Sequence, residues 1–365
     1  MVLQDRLAWT IPDGGVARRT VMRKGVRTIK IVGGGLAGLS LGIALRRHDV
    51  PVAILEAGRY PRHKVCGEFI AGLSKGTMEK LGIVEELADA IPHRNVAWLL
   101  DGKVFRRDRL PSAALGISRH LLDQRLALLF QDAGGQLETK SRVSDRAETR
   151  EGWVWATGRR REGRQWIGLK AHCEGLGLES DLEVHLAENA YVGASCVEDG
   201  RVNVCGLFRC RGFKGGGRQS ILVDSLRASG LDQLAQRLVE CELDVESASS
   251  VAGLGFGVMP KKDLGLRIGD AFALIPPFTG DGMAMAFEGA ADALYPVLRY
   301  ARGELSWIEA ERLVDRCLRR RFRRRLATAR AMHPFLYRRM GQAAFRISTS
   351  SRLLPFERIF QLLHT

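Results

Sequence analysis

The stretch IKIVGGGLAGLSLGIAL, Ile29–Leu45, followed by PVAILEAG, Pro51–Gly58, decides the fold. Ile29–Val32 is apolar and strand-like, Gly33, Gly35 and Gly38 have G-x-G-x-x-G spacing, and Leu36–Arg47 carries helical periodicity. Val52–Glu56 then reads as a second strand, completing a βαβ unit. In such a unit the first glycine permits a sharp turn and the second lets backbone N–H groups approach a pyrophosphate. The third lets helix and strand pack closely, and the helix start adds partial positive charge. Glu56 falls where a carboxylate accepts hydrogen bonds from ribose hydroxyls. A bound dinucleotide is therefore expected.

A second stretch far along the chain, IGDAFALIPPFTGDGMAMAFEGA, Ile268–Ala290, supplies an opposite wall. Leu264–Phe272 reads as a buried strand bearing Asp270, and Met283–Tyr295 as a helix. Pro276-Pro277 with Gly280 and Gly282 leaves backbone amides exposed at that helix start, where they can stabilise negative charge. The competing reading is a helix merely capped by Asp281.

Composition bounds the rest. The chain has 365 residues, 45% apolar and 27% charged, which suits a soluble globular protein with a sizeable core. A net charge of +15 implies attraction to something anionic. Much of it sits in Arg316, Arg319, Arg320, Arg321, Arg323, Arg324, Arg325 and Arg330, a segment without an acid. Val314, Leu318, Phe322 and Leu326 make an apolar stripe through that segment, which reads as a packed helix with a solvated basic face. Peripheral membrane contact is the next reading, with RLLPFERIFQLL, Arg352–Leu363, extending the apolar face. Nucleic acid is not expected, because aromatic platforms and reading motifs are missing. Seven cysteines without paired close spacing argue against a disulfide scaffold or a metal site and for a cytoplasmic location. No apolar run approaches the length of a spanning helix, and residues 1–27 lack the apolar core of a secretory signal.

Between the two walls, Ser74–Ala90 reads as helical, as do Ser118–Gly134 and Ser220–Glu240. Trp166–Phe208 alternates and carries turn signals, so it reads as antiparallel strands with one covered face. Lys170 and His172 fall on one side of that alternation. His172 is the best imidazole candidate for proton transfer, against the plainer reading of a hydrogen-bonded core histidine. Tyr191 and Asn203 are weaker candidates.

With Gly33, Gly35, Gly38, Glu56, Asp270 and PPFTGDGM in place, the chain resembles flavoproteins of the p-hydroxybenzoate hydroxylase-like superfamily. Within it, the resemblance is to the branch of geranylgeranyl reductases, flavin-dependent halogenases and related monooxygenases, from about Thr28 to Tyr300. It implies an α/β fold: a discontinuous Rossmann-like FAD-binding domain (28–75, 110–165 and 262–300), and an antiparallel β-sheet substrate subdomain (76–109 and 166–261). A basic N-terminal extension (1–27) and a basic helical C-terminus (301–365) flank them. It implies FAD held by Gly33, Gly35, Gly38, Glu56, Arg119 and Asp270, with the flavin ring near Pro277, Gly280, Gly282 and Met283. Arg119 stands at a helix start, where a guanidinium can neutralise a diphosphate, and Arg62 and Lys64 are placed to act similarly.

The loop RYPRHKVCGEFI resembles the K-x-CGE segment of that branch, bringing Cys66, Gly67 and Glu68 along the flavin. Cys66 would gate the site or affect flavin reactivity and Glu68 would exchange protons, with loop packing as the alternative for each. Ala156-Thr157-Gly158 stands where other hydroxylases have an Asp-Gly motif touching FAD and NADPH, so NADPH or NADH as electron donor would be met differently. The activity implied is monooxygenation of an aromatic or polyketide-like small molecule, lipophilic in character, through a flavin C4a-hydroperoxide. Reduction of isoprenoid double bonds, or flavin binding without turnover, are the alternatives. The oligomeric state is left open.

Overall fold

The computed structural model describes residues 25–143, 150–159, 166–209, 220–258 and 265–350. The N-terminal extension before residue 25 and the segment 352–363 lie outside the described residues. The chain begins with β1 (Ile29–Val32), α1 (Leu36–Arg46), β2 (Val52–Leu55), β3 (Phe69–Ile70) and α2 (Lys75–Leu81). It continues through β4 (Ile91–Leu100), β5 (Lys103–Gly116), α3 (Arg119–Asp132), β6 (Gln136–Glu138) and β7 (Trp153–Trp155). Then follow β8 (Trp166–Glu174), β9 (Leu182–Ala187), β10 (Ala190–Cys196), β11 (Val202–Arg209), α4 (Ser220–Ala228), α5 (Asp232–Val239) and β12 (Glu242–Ala252). The last elements are β13 (Gly257–Val258), β14 (Leu266–Arg267), β15 (Ala273–Leu274), α6 (Gly282–Ala301), α7 (Trp307–Tyr337) and α8 (Arg339–Ser350).

A five-stranded sheet of order β14-β7-β1-β2-β6 has all its pairs parallel. β1 is central, so Ile29 and Ile31 are fully buried and the glycine turn after Val32 opens at the sheet's middle. Residues Leu36–Leu45 of α1 are all buried, because α3 and α6 pack against it as well as the sheet. A second, eight-stranded sheet has order β12-β8-β11-β10-β9-β4-β5-β3 and is antiparallel except between β4 and β9. Its alternation sorts two environments. Leu169, Ala171 and Cys173 pack beneath α4 and α5, while Lys170 and His172 point to the opposite face.

Several elements differ from their sequence-based extents. Ser74–Ala90 holds only the short α2 and a 3₁₀ turn at Glu85–Leu87, since Gly82 adopts a left-handed φ of 73° and stops the helix. Ser220–Glu240 is two helices, broken at Gly230, whose φ is 77°. The strand expected over Leu264–Phe272 is confined to Leu266–Arg267, after which Gly269–Ala271 turns as 3₁₀ and lifts Asp270 out of the sheet. The long β4–β5 hairpin carries no simple alternation, because its register shifts twice.

The stripe Val314, Leu318, Phe322 and Leu326 is buried along α7. The arginines of that helix are not uniformly solvated. Arg325 is 2% exposed and pairs with Glu288 of α6 at 2.8 Å, while Arg321 holds Asp292 and Arg319 holds Asp315. About two turns further on, His333 is buried among Trp166, Tyr191, Phe256, Phe278 and Tyr337, with ring centroids 4.9–6.3 Å away. Burial lowers its pKa from 6.5 to about 4. The unfolded chain therefore takes up this proton first as pH falls, so the stabilisation is complete above pH 6.5 and is lost towards about 4. Thermal denaturation is expected to show a melting temperature that falls over that interval, and His333→Phe should shrink the fall; an unchanged pH profile in the variant would remove His333 as its source.

Candidate functional site: a cofactor cradle opening into an apolar chamber

One cavity of about 1620 Å³ runs between the two sheets. That exceeds the roughly 300–1,000 Å³ of an ordinary small-molecule pocket, leaving room for a cofactor and a second molecule. Its first end is the glycine turn. Gly33 has a φ of 106°, and a Cβ there would stand 2.2 Å from the Ala156 carbonyl oxygen. A Cβ on Gly38 would lie 2.0 Å from the Gly33 carbonyl oxygen, so the turn exists only with hydrogen at both positions. Gly35 differs, because a Cβ there would meet only Arg119 Nη2 at 3.8 Å and Lys64 Nζ at 4.0 Å. The space in front of Gly35 is thus bounded by backbone, the α1 start and two cations, which is a cradle for a diphosphate.

Both cations are held by one buried carboxylate. Asp123 takes Arg119 Nε at 2.7 Å and Nη2 at 2.9 Å, and Lys64 Nζ at 2.6 Å. Burial would raise the Asp123 pKa, but Arg119 and Lys64 hold it below the usual range. Against burial, Asp123 likewise keeps Arg119 firmly protonated. At the end of β2, Glu56 accepts Gly34 N–H and Gly58 N–H, each at 2.7 Å, and Arg62 Nη2 at 2.9 Å. Arg62 therefore belongs to the ribose end of the cradle, and Lys64 to the diphosphate end. Tyr60 donates its hydroxyl to the Gly34 carbonyl and closes the turn from outside.

Across the cavity stand Asp270, Pro277, Gly280, Gly282 and Met283, with the amide end of α6 among them. Burial raises the Asp270 pKa, opposed by Arg119, Arg159 and Lys64. Ala156-Thr157-Gly158 also line the space. Every residue expected to hold a dinucleotide faces it except Gly38, which sits behind the turn and makes the turn geometrically feasible. These residues fit FAD.

The candidate catalytic residues separate into wall and backing. Cys66 and Gly67 line the cavity. Burial raises the Cys66 thiol's pKa, which favours the neutral thiol over a reactive thiolate. Asn203 donates to the Cys66 and Gly67 carbonyls at 3.1 and 2.8 Å, fixing the loop. Glu68 and His172 lie behind it. The Glu68 carboxylate takes Lys170 Nζ at 2.5 Å and the Arg119 backbone N–H at 2.8 Å on one oxygen, and His172 Nε2 at 2.6 Å on the other. The side chains of Glu68, Lys170 and His172 are all 0% exposed. Burial would raise the Glu68 pKa, yet His172 and Lys170 hold it below the ordinary range.

The far end of the cavity was invisible in the sequence. Val96, Trp98 and Leu110 from the β4–β5 hairpin, Val184 and Tyr191 from the sheet, and Leu254 and Phe256 form an apolar chamber. Met332 and Leu336 of α7 and Phe345 of α8 complete it. Asp123 could have been found as the acid four residues after Arg119 on a helix. Lys170 as a partner of Glu68 could not, because 102 residues separate them.

Residues 31–63 match the family model of an NAD(P)-binding Rossmann-like domain. Among curated proteins, conditioned medium factor receptor 1 of Dictyostelium discoideum is 26% identical over 141 residues, 35% of this chain. A menaquinone reductase of Mycobacterium tuberculosis is 26% identical over 113 residues, 30% of this chain. The matched part of the chain covers 28% of the length of each of these relatives. The structure is similar to Klebsiella pneumoniae HpxO complexed with FAD and uric acid, with TM-score 0.75 and 17% identity over 94% of this chain and 97% of that one. It is also similar to p-nitrophenol 4-monooxygenase PnpA of Pseudomonas putida, with TM-score 0.73 and 12% identity over 93% and 99%. The flavin-dependent brominase Bmp2 gives TM-score 0.69 and 16% identity over 93% and 94%. The chain therefore has the p-hydroxybenzoate hydroxylase-like fold.

Glu68→Gln should leave the Lys170 charge buried without a counter-charge. It is expected to destabilise the protein by about 3–5 kcal/mol in urea denaturation. The double variant Glu68→Gln/Lys170→Met removes both charges and should recover much of that loss; equal stability of the single variant and the parent would show the pair to be energetically idle.

Proposed function

We propose that the protein is an FAD-dependent oxidoreductase, a monooxygenase acting on an apolar aromatic or polyketide-like small molecule. The observation that carries this reading is the continuity of one cavity from the Gly35 cradle, past Pro277–Met283 and Cys66, into the apolar chamber. Bound FAD would supply two-electron transfer and, when reduced, activation of oxygen. The chain's own residues do the rest. Gly33, Gly35, Arg119 and Lys64 take the diphosphate, Glu56 the ribose hydroxyls and Asp270 a ribitol hydroxyl. Gly280, Gly282 and Met283 offer the α6 amide end to negative charge on the ring.

Val96, Trp98, Leu110, Tyr191 and Phe256 hold an apolar substrate and exclude water. Cys66 shapes the wall as a neutral thiol, while Glu68 and His172 act from behind as positioning groups for the Cys66–Gly67 loop. The electron donor is a reduced nicotinamide, NADPH or NADH, met without an Asp-Gly turn. Peripheral membrane contact, with substrate dissolved in lipid, belongs to the same reading. The apolar lining of the chamber also favours a second one, reduction of an isoprenoid double bond.

The purified protein is expected to carry FAD. A valine at Gly35 intrudes on the diphosphate space, and overpacking by about 1–3 kcal/mol should weaken FAD binding roughly tenfold or more. Normal FAD content in Gly35→Val would overturn the cradle assignment. With NADPH or NADH, an aromatic acceptor and isotopically labelled oxygen gas, one labelled atom is expected in the product. Saturation of a polyprenyl double bond under anaerobic conditions would replace oxygenation by the reductase reading, and reoxidation with no acceptor ever converted would leave only flavin binding.

A further inference from the structure

The arginine-rich run of α7 does not offer a lipid-facing surface. Arg319, Arg321 and Arg325 are engaged with Asp315, Asp292 and Glu288, and the apolar stripe of that segment is buried against α6 and the sheet. The corner where α7 passes into α8 is different. Phe335, Met340 and Ile347 are 49, 87 and 69% exposed. On α8, Met340, Ala343, Ala344 and Ile347 recur at helical spacing and are all exposed, so they form one outward stripe. Arg338, Arg339 and Arg346 flank it; Arg339 pairs at 2.8 Å with Glu188 of the β9–β10 turn but stays 83% exposed, and residues 334–350 contain no acid.

The opposite side of this corner is firmly anchored. Gln342 is buried and donates to the Ala187 and Leu336 carbonyls at 2.9 and 2.8 Å. Asn189 N–H donates to the Tyr337 carbonyl at 2.7 Å, tying the end of α7 to the β9–β10 turn. Packing this side to the sheet leaves the Met340–Ile347 side facing outward. The same two helices roof the apolar chamber through Met332, Leu336 and Phe345, of which Met332 and Phe345 are themselves partly exposed. An apolar stripe with cationic flanks thus lies directly over the roof of an apolar cavity.

We propose that the α7–α8 corner docks on an anionic lipid surface, inserting Phe335, Met340 and Ile347 among the acyl chains while Arg338, Arg339 and Arg346 meet headgroup phosphates. Apolar burial and charge attraction act together there, the combination that holds an amphipathic helix in the interface plane. Docked in this way, the chamber roof formed by Met332 and Phe345 faces the bilayer, and an apolar substrate passes between lipid and chamber without crossing water. The proposal rests on the reading of the chamber as a site for a lipophilic substrate; the docking surface itself is tested without turnover.

The purified protein is mixed with vesicles of phosphatidylcholine alone and of phosphatidylcholine with phosphatidylglycerol, and sedimented. Partitioning is expected to rise with phosphatidylglycerol and to fall with salt. Met340→Glu/Ile347→Glu should lower it by at least about tenfold, and the milder Met340→Ser/Ile347→Ser should lower it in the same direction. Leu128→Glu, a change at a 53% exposed apolar residue of α3, should not alter it. Absence of partitioning to either vesicle would overturn the proposal, as would parental partitioning in both double variants or an equal loss in Leu128→Glu. A concentration-dependent dimer that the double variants abolish would assign the stripe to a second copy of this chain and overturn the lipid assignment. FAD content measured on the same samples separates the two readings: partitioning without FAD removes the flavin and leaves the surface, and FAD without partitioning does the reverse.

Discussion

The carboxylate of Glu68 is the joint on which the two halves of this molecule meet. One of its oxygens takes the backbone N–H of Arg119, the first residue of α3, which packs with α1 beside the parallel sheet. The same oxygen takes Lys170, and the other takes His172, both from β8 of the antiparallel sheet. The carboxylate therefore ties the α3 start, which carries Arg119 of the cradle, to β8 of the antiparallel sheet. Burying such a group is costly, and well-packed apolar residues would often be at least as stabilising. What the ionic joint adds is direction, because only one placement of β8 against α3 satisfies all three donors. Glu68 also sits at a φ of 53°, a conformation that a residue with a side chain adopts reluctantly and that surrounding contacts must enforce.

That joint explains which parts of the site were legible in the sequence. Gly33, Gly35, Glu56 and Arg119 are set by local geometry: a turn, a helix start and a strand end, each encoded within a few residues. Their placement follows from the period of the flanking apolar residues, which is why a βαβ unit could be read from Ile29–Glu56 alone. Asp270 was legible for a related reason, although its strand proved to be two residues long; the 3₁₀ turn that replaces the rest positions the carboxylate equally well. The alternation in Trp166–Cys173 likewise assigned Lys170 and His172 to one face. It could not say that this face turns towards a loop about a hundred residues earlier, because nothing in a period of two encodes register against a distant segment.

The chamber illustrates a different limit. Its walls are contributed by β4, β5, β9, β10, the loop at Leu254–Phe256 and two C-terminal helices, and in each of these the lining residues look like ordinary core. Trp98 and Val184 belong to a cluster that is continuous with packed interior at Ala114 and Leu186. Whether an apolar side chain fills a core or lines a cavity depends on the sum of volumes around it, a property no single segment carries. The arginine run misled for the converse reason. Composition marks it as the basic surface of the protein, but Arg325 is among the largest fully buried side chains, with its charge spent on Glu288.

That internal pair bears on the electrostatics of the site. Asp281 caps α6 in sequence, and an ionised carboxylate at that position would oppose the partial positive charge of the helix start. Burial pushes the Asp281 carboxyl well above its usual pKa and Glu288 adds to the effect, with Arg325 pulling the other way. Asp281 is thereby shifted towards its neutral form, while Arg325 satisfies the carboxylate of Glu288 two turns further along the helix. That shift lessens the opposition to the partial positive charge of the α6 amide end, which faces the cavity at Gly282 and Met283. The interior charges of α6 and α7 thus bear on the amide end of α6, whereas at α3 it is the Glu68 carboxylate that accepts the N–H of the first helical residue.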